Sequence, residues 1–178
     1  MIRKIILGSI AALLVLSPAV SGSQAMADSA DMLGAFKNWT AYTSGSGSSR
    51  TCYALSKPRA QEPKSLKRGA IFLMMSDWPG RKVKAELEVV PGYAYKLGAP
   101  ATLGIGGDRF NLFSRNEGQN GSAWLQNLND GGSLLDAMNH GVSAVAIGTS
   151  SRGTKTVDTY SLAGFGDALA KMHAACNM

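Results

Sequence analysis

The stretch ATLGIGGDRFNLF, residues 101–113, predicts a β-hairpin and so a fold built on sheet. Gly106-Gly107 is a two-residue turn of the type that tolerates positive φ. Pairing Ile105 with Asp108 gives the hairpin one mainly apolar face, and this agreement between turn and pattern supports the register. The residues on that face are Ala101, Leu103, Phe110 and Leu112.

Short apolar stretches between turn signals predict further strands along the chain. They lie at 36–42, 51–55, 70–76, 83–89, 142–147 and 154–162. The run AIFLMMS at 70–76 is continuously apolar, which is typical of a strand buried on both faces. Residues 83–89 alternate between apolar and charged side chains, which predicts a half-buried strand.

The run GTSSRGTKTVDTYSL, residues 148–162, has two readings: a loop that binds an anion or a hairpin that needs a turn. Its serines and Gly153 are residue types that are common in turns, which favours the hairpin. In that reading the second strand has Thr156, Asp158, Tyr160 and Leu162 on one face. Lys155 lies on the other face and is not placed to pair with Asp158.

Two helices are predicted. Ser133-Leu134-Leu135-Asp136 resembles a capping box and Gly141 a stop, so one helix is expected near 133–140. The apolar residues Leu162, Phe165, Leu169 and Met172 recur at helical spacing and predict an amphipathic C-terminal helix. The chain is therefore expected to be mainly β, in a single domain with two short helices.

The N-terminus reads as a secretory signal peptide over residues 1–27. Arg3 and Lys4 precede a short apolar core, and Ala25-Met26-Ala27 fits a cleavage site after Ala27. The apolar run is shorter than the roughly 20 residues of a spanning helix, so an uncleaved anchor is the weaker alternative. The mature protein, residues 28–178, is expected to be periplasmic or secreted and not membrane-spanning.

The two cysteines, Cys52 and Cys176, are an even number in a chain predicted to be exported. In an oxidising compartment the default expectation is that they form a disulfide. Catalytic thiols are the alternative, although the sequence contains no Cys-x-x-Cys and places no histidine to activate either thiol.

The residues available for catalysis are few. The sequence has two histidines, His140 and His173, and no cluster at metal-ligand spacing, so neither a metal nor a cofactor is expected. No Gly-x-Ser-x-Gly elbow or dinucleotide fingerprint occurs. We therefore expect no enzymatic activity. A hydrolase that uses His140 with Asp or Glu residues, and a structural or stress-related periplasmic protein without a ligand, remain the alternatives.

Positive charge is concentrated between residues 57 and 84. The whole chain has 18 basic and 12 acidic residues, a net charge of +6. A local excess of this kind holds anions or steers an acidic partner, whereas the alternative is a solvated linker. Nucleic acid is not expected, because export would place the protein in the wrong compartment and the basic residues at 57–68 have no aromatic residue among them for base stacking. The candidate residues for binding an anionic envelope or host-surface component, or an unidentified protein, are Lys57, Arg59, Lys64, Lys67, Arg68, Arg81, Lys82, Lys84, Arg152 and Lys155.

Several short motifs across residues 36–176 resemble the invasion-associated locus B family of alphaproteobacterial exported proteins. The most specific is the closing run from Gly148 to Thr156 followed by DTYSL at 158–162. The other matching segments are Trp39-Thr40, CYALSKP at 52–58, Gly92-Tyr93, Trp124, the helix at Ser133, Gly164-Phe165, Ala168-Leu169 and Cys176.

The resemblance implies a β-sandwich-like protein of the periplasm or the exterior, linked in some pathogens to entry into host cells. It implies no reaction and carries over no catalytic residue. Many members have another cysteine near the position of Tyr42, and its absence here leaves Cys52–Cys176 as the pairing that the family pattern allows.

Overall fold

The computed structural model describes residues 30–178, and the predicted signal peptide with its cleavage site lies outside them. Within this range eleven antiparallel strands form one continuous sheet, accompanied by two α-helices, α1 (Gly131–His140) and α2 (Phe165–Cys176). The strands are β1 (Asp31–Phe36), β2 (Trp39–Ser44), β3 (Thr51–Ser56), β4 (Ala60–Glu62), β5 (Phe72–Trp78), β6 (Val83–Val90), β7 (Ala101–Ile105), β8 (Asp108–Glu117), β9 (Asn120–Leu125), β10 (Ser143–Thr149) and β11 (Lys155–Ser161). The predicted mainly β single domain with two helices is confirmed.

The sheet curls so that its two ends face each other across one core. The strand order is β1-β2-β3-β5-β6-β9-β8-β7-β10-β11-β4, so β4 follows β3 in the chain but pairs with β11 at the far end. Trp39 on β2 also donates its indole N–H to the carbonyl of Ser161 on β11, at 3.0 Å. The arrangement is sandwich-like, with two layers that are continuous through the pairing of β6 with β9.

Both hairpins read from the sequence are present. The β7–β8 pairing joins Ile105 to Asp108 and Leu103 to Phe110, which is the predicted register. The β10–β11 hairpin turns at residues 150–153. The side chains predicted to share a face of β11 are buried; they are Thr156, Asp158, Tyr160 and, just beyond the strand, Leu162.

Two strand predictions were wrong in detail. The predicted strand at 36–42 is a hairpin, because Lys37 adopts a φ of 53° and turns the chain between β1 and β2. The run at 70–76 is not buried on both faces, since Phe72 and Met74 are only half-buried. The continuous apolar run is therefore a strand with one buried face, and Leu73 and Met75 lie on that face.

The predicted capping box of α1 was also wrong. A short 3₁₀ turn leads directly into the helix, which begins at Gly131, so Ser133 is already its third residue. The Ser133 hydroxyl donates to the carbonyl of Asp130 at 2.9 Å instead of capping a free N–H. None of the helices in residues 30–178 has the length and hydropathy needed to cross a membrane.

Helix α2 covers one end of the core and is attached to the sheet at two places. Its Cys176 forms a disulfide with Cys52 of β3, with the Cα atoms 5.9 Å apart. One turn earlier, His173 Nδ1 donates to Oδ2 of Asp77 on β5 at 2.6 Å. Asp77 is fully buried, and its other oxygen accepts the backbone N–H of Ala85 at 2.8 Å. The expected cysteine pairing is therefore present, beside a hydrogen bond that joins the same helix to β5.

Candidate functional site

The segment between β3 and β5, residues 57–71, crosses from one end of the sheet to the other, and we call it the crossing segment. Its β4 residues pair with β11, placing Gln61 opposite Asp158. Farther along, the N–H of Gly69 donates to the carbonyl of Gly92 at 2.8 Å. Gly92 has a φ of 74°, and a Cβ there would lie 2.7 Å from the Gly69 carbonyl oxygen. Glycine at 92 thus allows the crossing segment to lie directly on the loop that follows β6.

Arg68 anchors the crossing segment to the inward face of β11. Its guanidinium makes two hydrogen bonds to the Asp158 carboxylate, at 2.6 and 2.7 Å, and a third to the carbonyl of Pro91 at 3.3 Å. Both side chains are only 2% exposed. The hydrogen bond to Asp158 raises the pKa of Arg68 above its ordinary value. This buried pair is a structural link, and the charge of Arg68 is already neutralised by Asp158.

Three tyrosines surround this ion pair. The Tyr93 hydroxyl shares a 2.6 Å hydrogen bond with Thr156, and the Tyr93 and Tyr95 rings meet edge to face at 5.5 Å. The Tyr160 hydroxyl is buried without a hydrogen-bond partner among the described residues. Burial raises the pKa of all three phenols above the ordinary value.

We expect Tyr95 and Tyr160 to stay protonated in the folded protein at pH values where free phenols ionise. Because the folded-state pKa of each phenol is raised, its contribution to the free energy of unfolding is unchanged at pH values below the unfolded pKa of about 10. Above that pH the free energy of unfolding falls by about 1.4 kcal/mol per pH unit for each phenol. Absorbance at 295 nm should show two of the five tyrosines titrating only when the protein unfolds.

Tyr160→Phe is the matched control for this titration. It should remove one of the two late-titrating phenols and, by deleting a buried hydroxyl without a partner, raise the free energy of unfolding by about 1 kcal/mol. A loss of stability in this variant would show that the Tyr160 hydroxyl has a partner. Two late-titrating phenols in the variant would show that Tyr160 is not one of them.

A polar cavity of about 300 Å³ opens beside Arg68, and we call it the basic cavity. The crossing segment, the loop after β6, the β8–β9 turn and the β10–β11 turn meet there. Its polar lining residues include Lys67, Arg68, Tyr93, Asn120, Ser151 and Arg152.

The mouth of the basic cavity carries net positive charge. Lys67 and Arg152 are exposed and form no ion pair within residues 30–178, and no carboxylate lines the cavity. Since Arg68 is neutralised by Asp158, these two side chains supply the free charge. The β10–β11 turn is therefore both a hairpin turn and one wall of a cavity suited to an anion.

The other predicted basic residues fall into two groups. Lys57 lines a neighbouring cavity of about 480 Å³ on the other side of Arg68. Arg59 and Lys64 are exposed on the crossing segment, and Lys155 is exposed at the start of β11. Arg59, Lys64 and Lys155 line neither cavity, but they belong to the crossing segment and to the β10–β11 hairpin, which border the basic cavity.

Arg81, Lys82 and Lys84 belong to the second group and lie at the opposite end of β5. That strand has seven residues, so the two groups are about 20 Å apart. The guanidinium of Arg81 stacks on the Trp78 ring at 4.2 Å and lies 3.6 Å from Glu86. The run of charge in the sequence is thus two separate surfaces in the folded chain.

The structure does not gather the residues of a hydrolase around His140. That side chain is exposed at the end of α1, where its Nδ1 lies 3.2 Å from the exposed carboxylate of Asp136. None of the cavities described for residues 30–178 is lined by His140. In the same range no group of three or more His, Cys, Asp or Glu side chains is placed to hold a metal ion.

Sequence reasoning missed Tyr93, Asn120 and Ser151 as lining residues of the basic cavity. Tyr93 and Ser151 lie in two different connections and Asn120 is the first residue of β9, and no local pattern distinguishes them from their neighbours. Tyr93 had the one available signal, as a large aromatic residue directly after a loop glycine.

Comparisons with known proteins match this chain to one family and one solved fold. The family model for "Invasion associated locus B (IalB) protein" matches residues 39–173. The crystal structure of invasion associated protein b from Bartonella henselae is similar, with a TM-score of 0.54 at 12% sequence identity, covering 82% of this chain and 98% of that chain. No curated protein matches the chain.

Proposed function

The chain belongs to the invasion associated locus B family, and from that premise we propose that it is an exported, non-enzymatic envelope protein that binds an anionic partner at the basic cavity. The partner is an acidic group on the producing cell's own envelope or on the surface of a host cell. The proposal keeps Lys67 and Arg152 as the central contacts, with Lys57, Arg59, Lys64 and Lys155 around them. Arg68 is assigned a structural role.

The observation that carries the proposal is the free positive charge of Lys67 and Arg152 at one cavity. Their positions are 85 residues apart in the chain, and they meet only because the crossing segment lies over the β10–β11 turn. The hydroxyls of Ser151 and Tyr93 and the amide of Asn120 lie among the same lining residues. Hydrogen-bond donors beside uncompensated cations are the groups that recognise phosphate, sulfate or carboxylate.

Two further observations support export. The N-terminal sequence has the charged start, apolar core and small-residue cleavage site of a signal peptide. The Cys52–Cys176 disulfide is of the kind that persists in oxidising compartments. Edman sequencing of the protein recovered from the periplasm or medium should begin at Asp28.

We expect the double variant Lys67→Ala/Arg152→Ala to bind anionic surfaces about 10- to 30-fold more weakly at low salt, because each exposed cation contributes about 1 kcal/mol at such a surface. The measurement is titration with phosphatidylglycerol-containing vesicles and, separately, with heparin as a sulfated glycan. The two probes distinguish an envelope lipid from a host-surface glycan.

Lys82→Ala/Arg109→Ala is the matched control, since it removes one exposed lysine and one exposed arginine that line neither the basic cavity nor any other binding site proposed for the chain. We expect it to change binding less than threefold. Equal losses in the two double variants would mean that net charge, and not the basic cavity, governs retention. Absence of binding to either probe would favour the structural alternative without a ligand.

A further inference from the structure

A further cavity lies between β6, the end of β9 and the start of α1, and it shares no lining residue with the basic cavity. Its volume is about 560 Å³, within the range of small-molecule sites. We call it the apolar groove, after its main lining residues Leu87, Phe113, Trp124, Leu125, Leu128 and Leu134.

The groove exists because β6 and β9 separate soon after they meet. Their pairing covers only Glu88 with Trp124 and Val89 with Ala123. Toward its start β6 is irregular, since Ala85 has a φ of 52° and donates its N–H to the buried carboxylate of Asp77. The chain after β9 turns away into α1, and a gap is left between the two strands.

The floor and the rim of the groove are both apolar. Leu87, Leu125 and Leu134 form the floor and are nearly fully buried. At the rim Leu128 is 84% exposed and Phe113 is 43% exposed. Single exposed apolar side chains are common, but a cluster beside an apolar cavity marks a site where an apolar partner binds.

The charge at the rim is positive. Lys84 lines the groove, is exposed and forms no ion pair in the described part of the chain. The carboxylate of Glu86, which also lines the groove, accepts the indole N–H of Trp78 at 2.9 Å and lies 3.6 Å from the Arg81 guanidinium. The negative charge is thus compensated and the lysine is not.

We propose that the apolar groove binds a single-chain anionic amphiphile, a long-chain fatty acid, with the hydrocarbon against the leucine floor and the carboxylate at Lys84. A hydrocarbon chain brings no polar groups that need partners inside the groove. A bound peptide would bring a backbone N–H and C=O at each residue, and the lining side chains at the floor offer them no donors or acceptors. The site is separate from the basic cavity and does not depend on the proposed function.

The test is titration of the purified protein with dibrominated stearic acid, whose bromine atoms quench nearby tryptophan. We expect saturable quenching with one equivalent bound. Trp124→Phe should remove the share of Trp124, and the remainder should come from Trp78, whose indole N–H bonds the groove-lining Glu86. Trp39 is fully buried and does not line the groove, so it serves as the unquenched reference. Lys84→Gln should weaken binding of the fatty acid about fivefold and leave binding of the uncharged fatty alcohol of the same length unchanged.

Leu128→Asp and Leu97→Asp form a matched pair, because both leucines are 84% exposed and only Leu128 lines the groove. We expect Leu128→Asp to weaken binding at least about tenfold and Leu97→Asp less than twofold. Equal effects of the two variants, or quenching that does not saturate, would overturn the proposal. A protein segment would then be the better candidate for the groove. The circular dichroism of each variant reports directly on whether it is folded.

Discussion

Removing the disulfide, by Cys52→Ala/Cys176→Ala or by reduction, is expected to lower the free energy of unfolding by about 5 kcal/mol. The two cysteines are 124 residues apart, so the bond closes nearly the whole described domain. Loop-closure entropy gives about 5 kcal/mol for a loop of this length, as an upper figure. That is a large part of the roughly 5–15 kcal/mol that stabilises a domain. Denaturation by guanidinium chloride, followed by tryptophan fluorescence, measures the change.

Two controls accompany this measurement. Intact mass after alkylation should show no free thiol until a reductant is added, and the reductant should leave the stability of the double alanine variant unchanged. Helix α2 keeps its buried apolar stripe and the hydrogen bond between His173 and Asp77 without the disulfide, so the reduced protein should retain its sheet by far-ultraviolet circular dichroism. A loss below about 1 kcal/mol would mean that the unfolded chain gains little freedom from reduction.

Breaking the Arg68–Asp158 pair from either side is expected to cost about 3–5 kcal/mol, because it leaves an uncompensated charge in the core. Arg68→Met and Asp158→Leu should each have this effect. The double variant should recover most of the loss, since an apolar pair needs no charge partner. Urea denaturation of the four proteins gives the coupling energy directly.

Asp136→Asn supplies the comparison with an exposed pair. The Asp136 and His140 side chains are each 77% exposed, and the variant should change stability by about 0.5 kcal/mol or less.

If the double variant at 68 and 158 were no more stable than the two single ones, the buried pair would be needed for its geometry and not only for its charge balance.

Much of the local structure was predictable. The β7–β8 register followed from a glycine turn between alternating side chains, and the inward face of β11 followed from its period of two. These patterns are local, since a strand shows which of its faces is buried without reference to the rest of the fold. Where a residue with positive φ was not a glycine, as at Lys37, the hairpin between β1 and β2 was missed.

The candidate sites were less predictable. The basic run at 57–84 looked like one surface, but β5 divides it and carries Arg81, Lys82 and Lys84 to the other end. Arg68 looked available and is instead buried against a carboxylate 90 residues away. No sequence pattern indicated the apolar groove, because its lining residues look like ordinary core and surface residues of strands and helices. They line a groove only because β6 and β9 separate in the folded chain.

From the sequence by itself came the mainly β domain, the two principal hairpins, the two helices and the expectation that Cys52 pairs with Cys176. Only the tertiary structure decided which charges are free, which are neutralised in the core, and where the basic cavity and the apolar groove open. Periodicity and turn chemistry depend on neighbours a few residues apart. The sites depend on a sheet that curls until its ends meet, which brings together side chains that no local pattern relates.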